Sequence, residues 1–283
     1  MAKLLLYLDR LVHLPGETVQ GEAVLQTPKP LTVRQITVEA TGVERTVITE
    51  SHGAGKHRNT VTYTETNPIL QWGIMVAGPG ELLPGDHRFP FSFQLPQNAL
   101  ATYHGLHANV FYSVRANADI PMWFDAGQAL ELVVVMPRNL CRLDPTPRGF
   151  QTKFVDDPAK PGFLAQVQRS AYLCGDYLEG SVRITGDGGH RIRKAQVVLK
   201  TLEIASARGH VRENATVISK TDLPGEMLGV ERSAPFRIYL PKEAPGGYCG
   251  MYSSLKWLVD INLDVAFAFD ASAAQEIVVF NAV

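Results

Sequence analysis

Cysteine is scarce in this 283-residue chain, with only Cys141, Cys174 and Cys249. Three widely separated thiols exclude a disulfide framework and a zinc knuckle, and point to a reduced compartment. Charge is short as well. Charged residues make up 19%, against roughly 25% in ordinary globular chains, and they cancel to a net −1. Up to residue 137 there are 9 basic and 12 acidic residues, and beyond it 18 and 16. Neither part is a basic module, so no nucleic-acid partner is expected. Long apolar runs are missing. The run from Leu4 to Leu8 meets Asp9 and Arg10 at once, which is no signal peptide. The charge-free stretch 66–80 is broken by Asn67, Pro68, Gln71 and glycines, short of the ~20 apolar residues that span a bilayer. No leader or transmembrane segment is expected, and the expected location is the cytoplasm. Helical periodicity is absent too: no run of about ten residues repeats every 3.6.

What is present is apolar and rich in turns. Hydrophobic residues reach 45%, with 24 Gly and 18 Pro, a composition for many short elements joined by turns. The chain also repeats itself. Leu14-Pro-Gly-Glu-Thr-Val-Gln-Gly21 matches Leu173-Cys-Gly-Asp-Tyr-Leu-Glu-Gly180, and Arg34 to Glu44 matches Arg193 to Glu203, both at an offset of 159. Pro90-Phe-Ser-Phe-Gln-Leu-Pro96 matches Pro235-Phe-Arg-Ile-Tyr-Leu-Pro241, and Tyr103-His-Gly105 matches Tyr248-Cys-Gly250, at an offset of 145. The first copy therefore has the longer middle section, between Glu44 and Pro90.

Both copies have strand periodicity in one phase. Ile36, Val38 and Ala40 alternate with polar residues, as do Ala195, Val197 and Leu199. Phe91, Phe93 and Leu95 alternate, as do Phe236, Ile238 and Leu240. Tyr112 and Val114 match Trp257 and Val259. Period two with one apolar face predicts antiparallel sheets with one side wet, and a shared phase predicts a shared register. The expected fold is all-β: two tandem antiparallel, immunoglobulin-like β-sandwiches related by internal duplication. The expected domains are 1–137 and 162–283. A proline-rich connection, 138–161, joins them, and Phe150 to Val155 within it could be an extended strand. The expected core holds Phe91, Phe93, Tyr112, Val114, Phe236, Ile238, Trp257 and Val259.

Chemistry is thinly represented. No Gly-x-Ser-x-Gly elbow is present, and Cys174 and Cys249 fall in matched turns, which is a structural placement. Gly53-Ala-Gly55-Lys56-His57 lacks the earlier glycine and the hydroxyl of a phosphate loop, and reads as a loop tip. His104 and His107 are three apart on a strand and face opposite sides. His52, His57 and His87 could approach one another only if the inserted loop folds back. Asp156-Asp157 before Pro158 reads as a solvated or Asx-turn pair. The densest basic patch, His190 to Lys194, is a solvated strand end or a site for a phosphoinositide or an acidic peptide. Trp72, Trp123 and Trp257 do not form a platform for sugar, which leaves a carbohydrate-binding sandwich as a remote alternative.

The turn-and-strand motifs resemble the arrestin family. Pro15-Gly-Glu-x-Val-x-Gly21, then Pro90-Phe-Ser-Phe-x-Leu-Pro96, then Tyr103-x-Gly leading into Asn109-Val-Phe-Tyr-Ser-Val-Arg115, have the order of an arrestin amino-terminal domain. The second copy has the order of a carboxy-terminal one. The stretch from Thr102 to Val114 is similar to retromer-type arrestin-like sorting subunits, and Asp119-Ile-Pro-Met-Trp-Phe-Asp125 to bacterial sporulation-control-type arrestin-like proteins. No Pro-Pro-x-Tyr motif is present and no tandem lysines follow the first Pro-Gly-Glu turn, so ligase recruitment and receptor-phosphate sensing are not carried over. The resemblance implies a non-enzymatic adaptor or scaffold. It would bind protein partners through sheet edges, concave faces or the interdomain cleft, with no cofactor, no catalytic residues and no metal. In a eukaryote it implies a cargo-sorting subunit in protein transport, associated with endosomes and peripherally with membranes through a partner. In a prokaryote it implies a sporulation-control-type regulator. The binding residues themselves are not legible.

Overall fold

The computed structural model describes residues 2–53, 59–121, 126–136, 144–153, 155–157, 159–230, 232–267 and 270–281. Two compact units make up the chain. One comprises Met1–Pro137 with Ala205–Arg212 and Gly250–Ser253; the other comprises Arg138–Ile204, Glu213–Cys249 and Ser254–Val283. Among the described residues there is no α-helix, only one short 3-10 turn at Gly225–Met227.

The first eleven strands are β1 (Lys3–Leu8), β2 (Val12–His13), β3 (Thr18–Thr27), β4 (Leu31–Val33), β5 (Gln35–His52), β6 (Asn59–Ala77), β7 (Gly80–Leu82), β8 (Gly85–Gln94), β9 (Tyr103–His104), β10 (Ala108–Asp119) and β11 (Ala126–Val134). They form a sheet of order β1-β3-β8, a sheet of order β2-β11-β10-β5-β6 with β9 on β10, and a small β4-β7 pair. The next ten are β12 (Arg148–Gln151), β13 (Pro161–Val167), β14 (Ala171–Leu173), β15 (Tyr177–Asp187), β16 (Ile192–Ala207), β17 (His210–Pro224), β18 (Ser233–Tyr239), β19 (Tyr248–Cys249), β20 (Ser253–Val265) and β21 (Ala271–Phe280). Their orders are β12-β13-β15-β18 and β14-β21-β20-β16-β17, with β19 on β20.

The two connectivities correspond except that β4, β7 and β12 have no counterpart, and the fold is an all-β sandwich architecture. It departs from a purely antiparallel arrangement at two places. β2 pairs parallel with β11, and β14 pairs parallel with β21. In each case the chain leaves one sheet, after β1 or after β13, and crosses to the edge of the other, where it meets the last strand running in the same direction. The β5–β6 hairpin, with strands of 18 and 19 residues, holds much of the extra length of the first copy.

Alternation fills the interiors. All eight expected core residues are buried, with Tyr112, Val114, Trp257 and Val259 fully so. The two large aromatics solve the same polar problem in the same way. Tyr112 Oη donates to Leu100 O (2.8 Å), and Trp257 Nε1 to Pro245 O (3.1 Å), each to a carbonyl 12 residues upstream. A buried hydroxyl or indole N–H without such a partner would cost ~1–3 kcal/mol.

The repeated Pro/Cys-Gly-acid turn has a shared mechanism. Gly16 and Gly175 both have positive φ, at 80° and 94°. A β-carbon is unfavourable in this region. The following acid caps the turn: Glu17 accepts from Leu14 N (2.8 Å), and Asp176 from Leu173 N (3.3 Å). Gly21 and Gly180 end the motif for a different reason. A β-carbon on Gly21 would lie 2.5 Å from the Phe91 ring and from Tyr7 O; one on Gly180 would lie 2.3 Å from the Phe236 ring. The ring of the later Pro-Phe motif packs onto the glycine of the earlier one, so the two repeated motifs within each copy are one packing unit.

Candidate binding sites

β5 carries the least expected polar group. Its inward phase runs Ile36, Val38, Ala40, Gly42, and then places Glu44 in the interior, where it is fully buried. Five donors converge on the carboxylate. Oε1 accepts from Tyr252 N (2.9 Å), Ser253 N (2.7 Å) and Ser253 Oγ (2.8 Å). Oε2 accepts from Met251 N (2.9 Å) and Asn67 Nδ2 (3.1 Å). Residues 250–253 belong to the same compact unit as Glu44. Their successive amides form a concave anion cradle, and Gly250 is required beside it, since a β-carbon there would lie 2.4 Å from Oε1. Burial alone raises the Glu44 carboxyl, but bonds from Ser253, Met251, Tyr252 and Asn67 outweigh it and hold the group below its ordinary value. The matched position of the second copy, Glu203, is buried as well. Both positions lie on the inward phase of their strands, which is the sequence signal for them. The match of Arg34–Glu44 to Arg193–Glu203 ended on these two acids without marking them as interior.

Sheet edges differ in what they offer. Leu95 N bonds back to Glu17 O and Leu240 N to Asp176 O. Counting by twos from these inward groups, Pro90 on β8 and Pro235 on β18 turn their nitrogens away from the sheet, where a missing N–H costs no ladder bond. The proline of the repeated Pro-Phe motif thus blunts an edge strand. β1 is different. Asp9 N bonds to Gln20 O, so Leu4, Leu6 and Leu8 direct backbone groups outward. Leu6 N is taken by the side chain of Gln128 (2.7 Å). Beside this edge lies a groove of about 820 Å³ lined by residues including Leu4, Leu5, Leu31 and Ile120, and among the described residues Lys3 and Lys29 are its charged groups.

The corresponding end of the second unit holds a cavity of about 970 Å³ with different chemistry. Lys153, Lys160, His190 and Arg193 line it together with Asp264 and Asp270. The basic run His190 to Lys194 therefore divides. Arg193 pairs with Asp264 (3.1 Å) and Lys194 with Asp222 (2.6 Å), while His190 and Arg193 face the cavity.

The remaining residues singled out in the sequence do not converge. His104 is exposed and meets Glu131 (3.2 Å), and His87 meets Leu83 O (2.7 Å). His57 and the His52 side chain, like Lys56, Trp123 and Cys141, lie outside the described residues. Among the described residues no three metal-ligating side chains gather. Asp157 accepts from Ala159 N (3.1 Å) in an Asx turn. Cys174 is half-buried, donates to Ala244 O (3.2 Å), and burial pushes its thiol up to about 11. Trp72 packs on Phe93 and Phe91, and Trp257 is core. Among the described residues no helix is long and apolar enough to cross a membrane.

Comparison with known proteins agrees with this fold. Residues 5–140 match the family described as arrestin (or S-antigen), N-terminal domain. The chain is 30% identical over 132 residues to arrestin domain-containing protein 1 of Rattus norvegicus, covering 46% of this chain and 29% of that protein. It is 33% identical over 129 residues to arrestin domain-containing protein 4 of Mus musculus, covering 42% and 31%. A weaker likeness, 21% over 294 aligned residues, extends over 96% of this chain and 50% of arrestin domain-containing protein A of Dictyostelium discoideum. The chain thus spans about three-tenths of the length of the first two relatives and half of the third. Residues 5–140 match an arrestin amino-terminal domain, and the chain is similar to arrestin domain-containing proteins.

Proposed function

We propose that this chain is a non-enzymatic arrestin-like adaptor that binds protein partners in the cytoplasm. Its two sandwiches, 1–137 and 162–283, act as amino- and carboxy-terminal arrestin-type modules joined by 138–161. The open edge of β1 beside its apolar groove carries the reading. An extended peptide can add its main chain to the outward groups of Leu4 and Leu8, place an apolar side chain in the groove, and set an acidic group near Lys3 or Lys29. Edges β8 and β18, blunted by Pro90 and Pro235, are poorer acceptors. Backbone-mediated recognition of this kind needs no catalytic constellation.

The test is affinity capture from the native host with the wild-type chain and with a Lys3→Glu/Lys29→Glu variant, read by quantitative mass spectrometry. A partner enriched by the wild type and depleted by the variant supports the reading. Partners retained equally by both would remove β1 as the site. Substrate turnover by the purified chain would remove the adaptor class.

A further inference from the structure

We infer that the outward face of the β2-β11-β10-β5-β6 sheet of the first unit is a self-association surface, which packs against the same face of a second copy of this chain. Ile36, Val38 and Ala40 on β5, and Tyr112, Val114 and Ala116 on β10, turn inward and are buried. The residues between them face outward. Across the two strands Glu39 stands directly opposite Arg115, Thr41 opposite Ser113 and Val43 opposite Phe111. Thr41 and Ser113 bond to each other (3.0 Å). Glu39 and Arg115 are exposed, and neither side chain has a hydrogen-bond or ion-pair partner among the described residues. An apolar row crosses the same face. Val43 lies between Pro68 and Phe111. Continuing the β10–β11 register by one residue places Val133 beside Phe111, and Val133 pairs with Val12. Pro68, Val133 and Val12 are exposed. A continuous exposed apolar patch with a polar rim marks an interaction site. In the second unit the position matched to Phe111 is Lys256, paired with Glu276 (3.2 Å), and that matched to Arg115 is Asp260, paired with Lys200. The surface is therefore a property of the first copy and not of the sandwich in general.

Self-complementarity identifies the occupant as a second copy. Two sheets stack face to face with their strands nearly aligned. A two-fold axis along the strands, midway between β5 and β10, lays β5 of each copy over β10 of the other, and β6 over β11. Each pair that stands opposite within the chain then recurs as a contact between copies, made twice. Glu39 meets Arg115 of the second copy, so both unpaired charges are matched. Val43 meets Phe111 of the second copy, and Pro68 meets Val133, so the apolar rows coincide. Met75, which is 57% exposed and lies beside Thr37, meets Gly127, which lies beside Asn117. There the sheet has a trough of about 540 Å³, lined by Gly127 and Ala129 next to Arg115 and Asn117, that can receive the methionine side chain. The remaining charges meet neutral groups: Arg45 faces Asn109, and Glu131 faces Gln71. No two like charges are opposed. The overlap is roughly 27 Å along the strands and 14 Å across them. A footprint of that size gives weak, reversible association in the micromolar range.

Sedimentation velocity of the full chain between about 5 and 500 µM tests this. The wild type is expected to pass from monomer to dimer over that range. Arg115→Glu sets acid against acid between the copies, and Glu39→Arg sets base against base. Each single variant is expected to dimerise at least about tenfold more weakly. An equimolar mixture of the two restores opposite charges at both contacts and is expected to dimerise like wild type, as is the double variant Glu39→Arg/Arg115→Glu. A folding defect in one variant could not be repaired by mixing. Lys256→Ala, on the matched face of the second unit, is the control and should leave the association unchanged. A wild type that stays monomeric throughout would overturn the inference and give the face to a different partner. Single variants that dimerise like wild type, or a mixture that fails to recover association, would overturn it as well.

Discussion

Replacing Glu44 by Gln perturbs a buried carboxylate held by five uncharged donors. The amide oxygen can keep the Oε1 position and its bonds from Tyr252 N, Ser253 N and Ser253 Oγ. The amide nitrogen must then face Met251 N and Asn67, where Oε2 now accepts two bonds. Asn67 can turn its own oxygen toward the new amide, but Met251 N–H cannot. One orphaned backbone donor costs ~1–3 kcal/mol, and the three surviving bonds lose charge assistance worth about half their strength. Relief of the buried charge offsets part of this. The expected net loss is about 2–4 kcal/mol. pH separates this from a generic packing defect. The folded carboxyl lies below its ordinary value, so its stabilisation is fully present above the unfolded pKa near 4.3 and is lost as pH falls through the folded value. The stability difference between wild type and Glu44→Gln should be constant above about pH 5 and shrink below it. Hydrogen exchange, resolved at Met251, Tyr252 and Ser253, checks the location, and denaturant titration checks the magnitude. Unchanged protection of these amides with a stability change under ~0.5 kcal/mol would refute the reasoning.

Trp257→Ala should destabilise the second unit by about 3–5 kcal/mol, because a fully buried ring and its bond to Pro245 O are both lost; thermal and denaturant unfolding measure it. Gly180→Ala should be nearly as damaging as a core truncation despite adding one methyl, at roughly 2–3 kcal/mol, because the Phe236 ring and Gln166 O both stand within 2.5 Å of the new carbon; a melting temperature equal to wild type would show that the two motifs are not one packing unit. At pH 8 a thiol-selective maleimide should label Cys249 well before Cys174, since Cys249 is exposed and the Cys174 thiol is half-buried and raised to about 11; peptide mass spectrometry gives the order.

By itself the sequence determined the fold class, the phase of each strand and the core. Alternation is local, and only one face of Tyr112-Ser-Val114 or Trp257-Leu-Val259 is apolar enough to bury. The duplication was legible because turn motifs such as Leu14 to Gly21 fix backbone angles and caps over a few residues. What the motifs do to one another was not legible. That Gly21 is a seat for Phe91 depends on pairing between residues seventy positions apart, and the edge role of Pro90 depends on which strand has no neighbour. The basic run His190 to Lys194 had the same local composition whether it was a solvated strand end or part of a site. Only the tertiary structure brought Lys153, Lys160 and the β20–β21 turn to the same cavity and sent Lys194 to Asp222. Glu44 shows the division most plainly. Its inward phase was written in the strand pattern, but an ionised interior acid is tolerable only where enough donors surround it. Four of the five donors come from residues more than two hundred positions away.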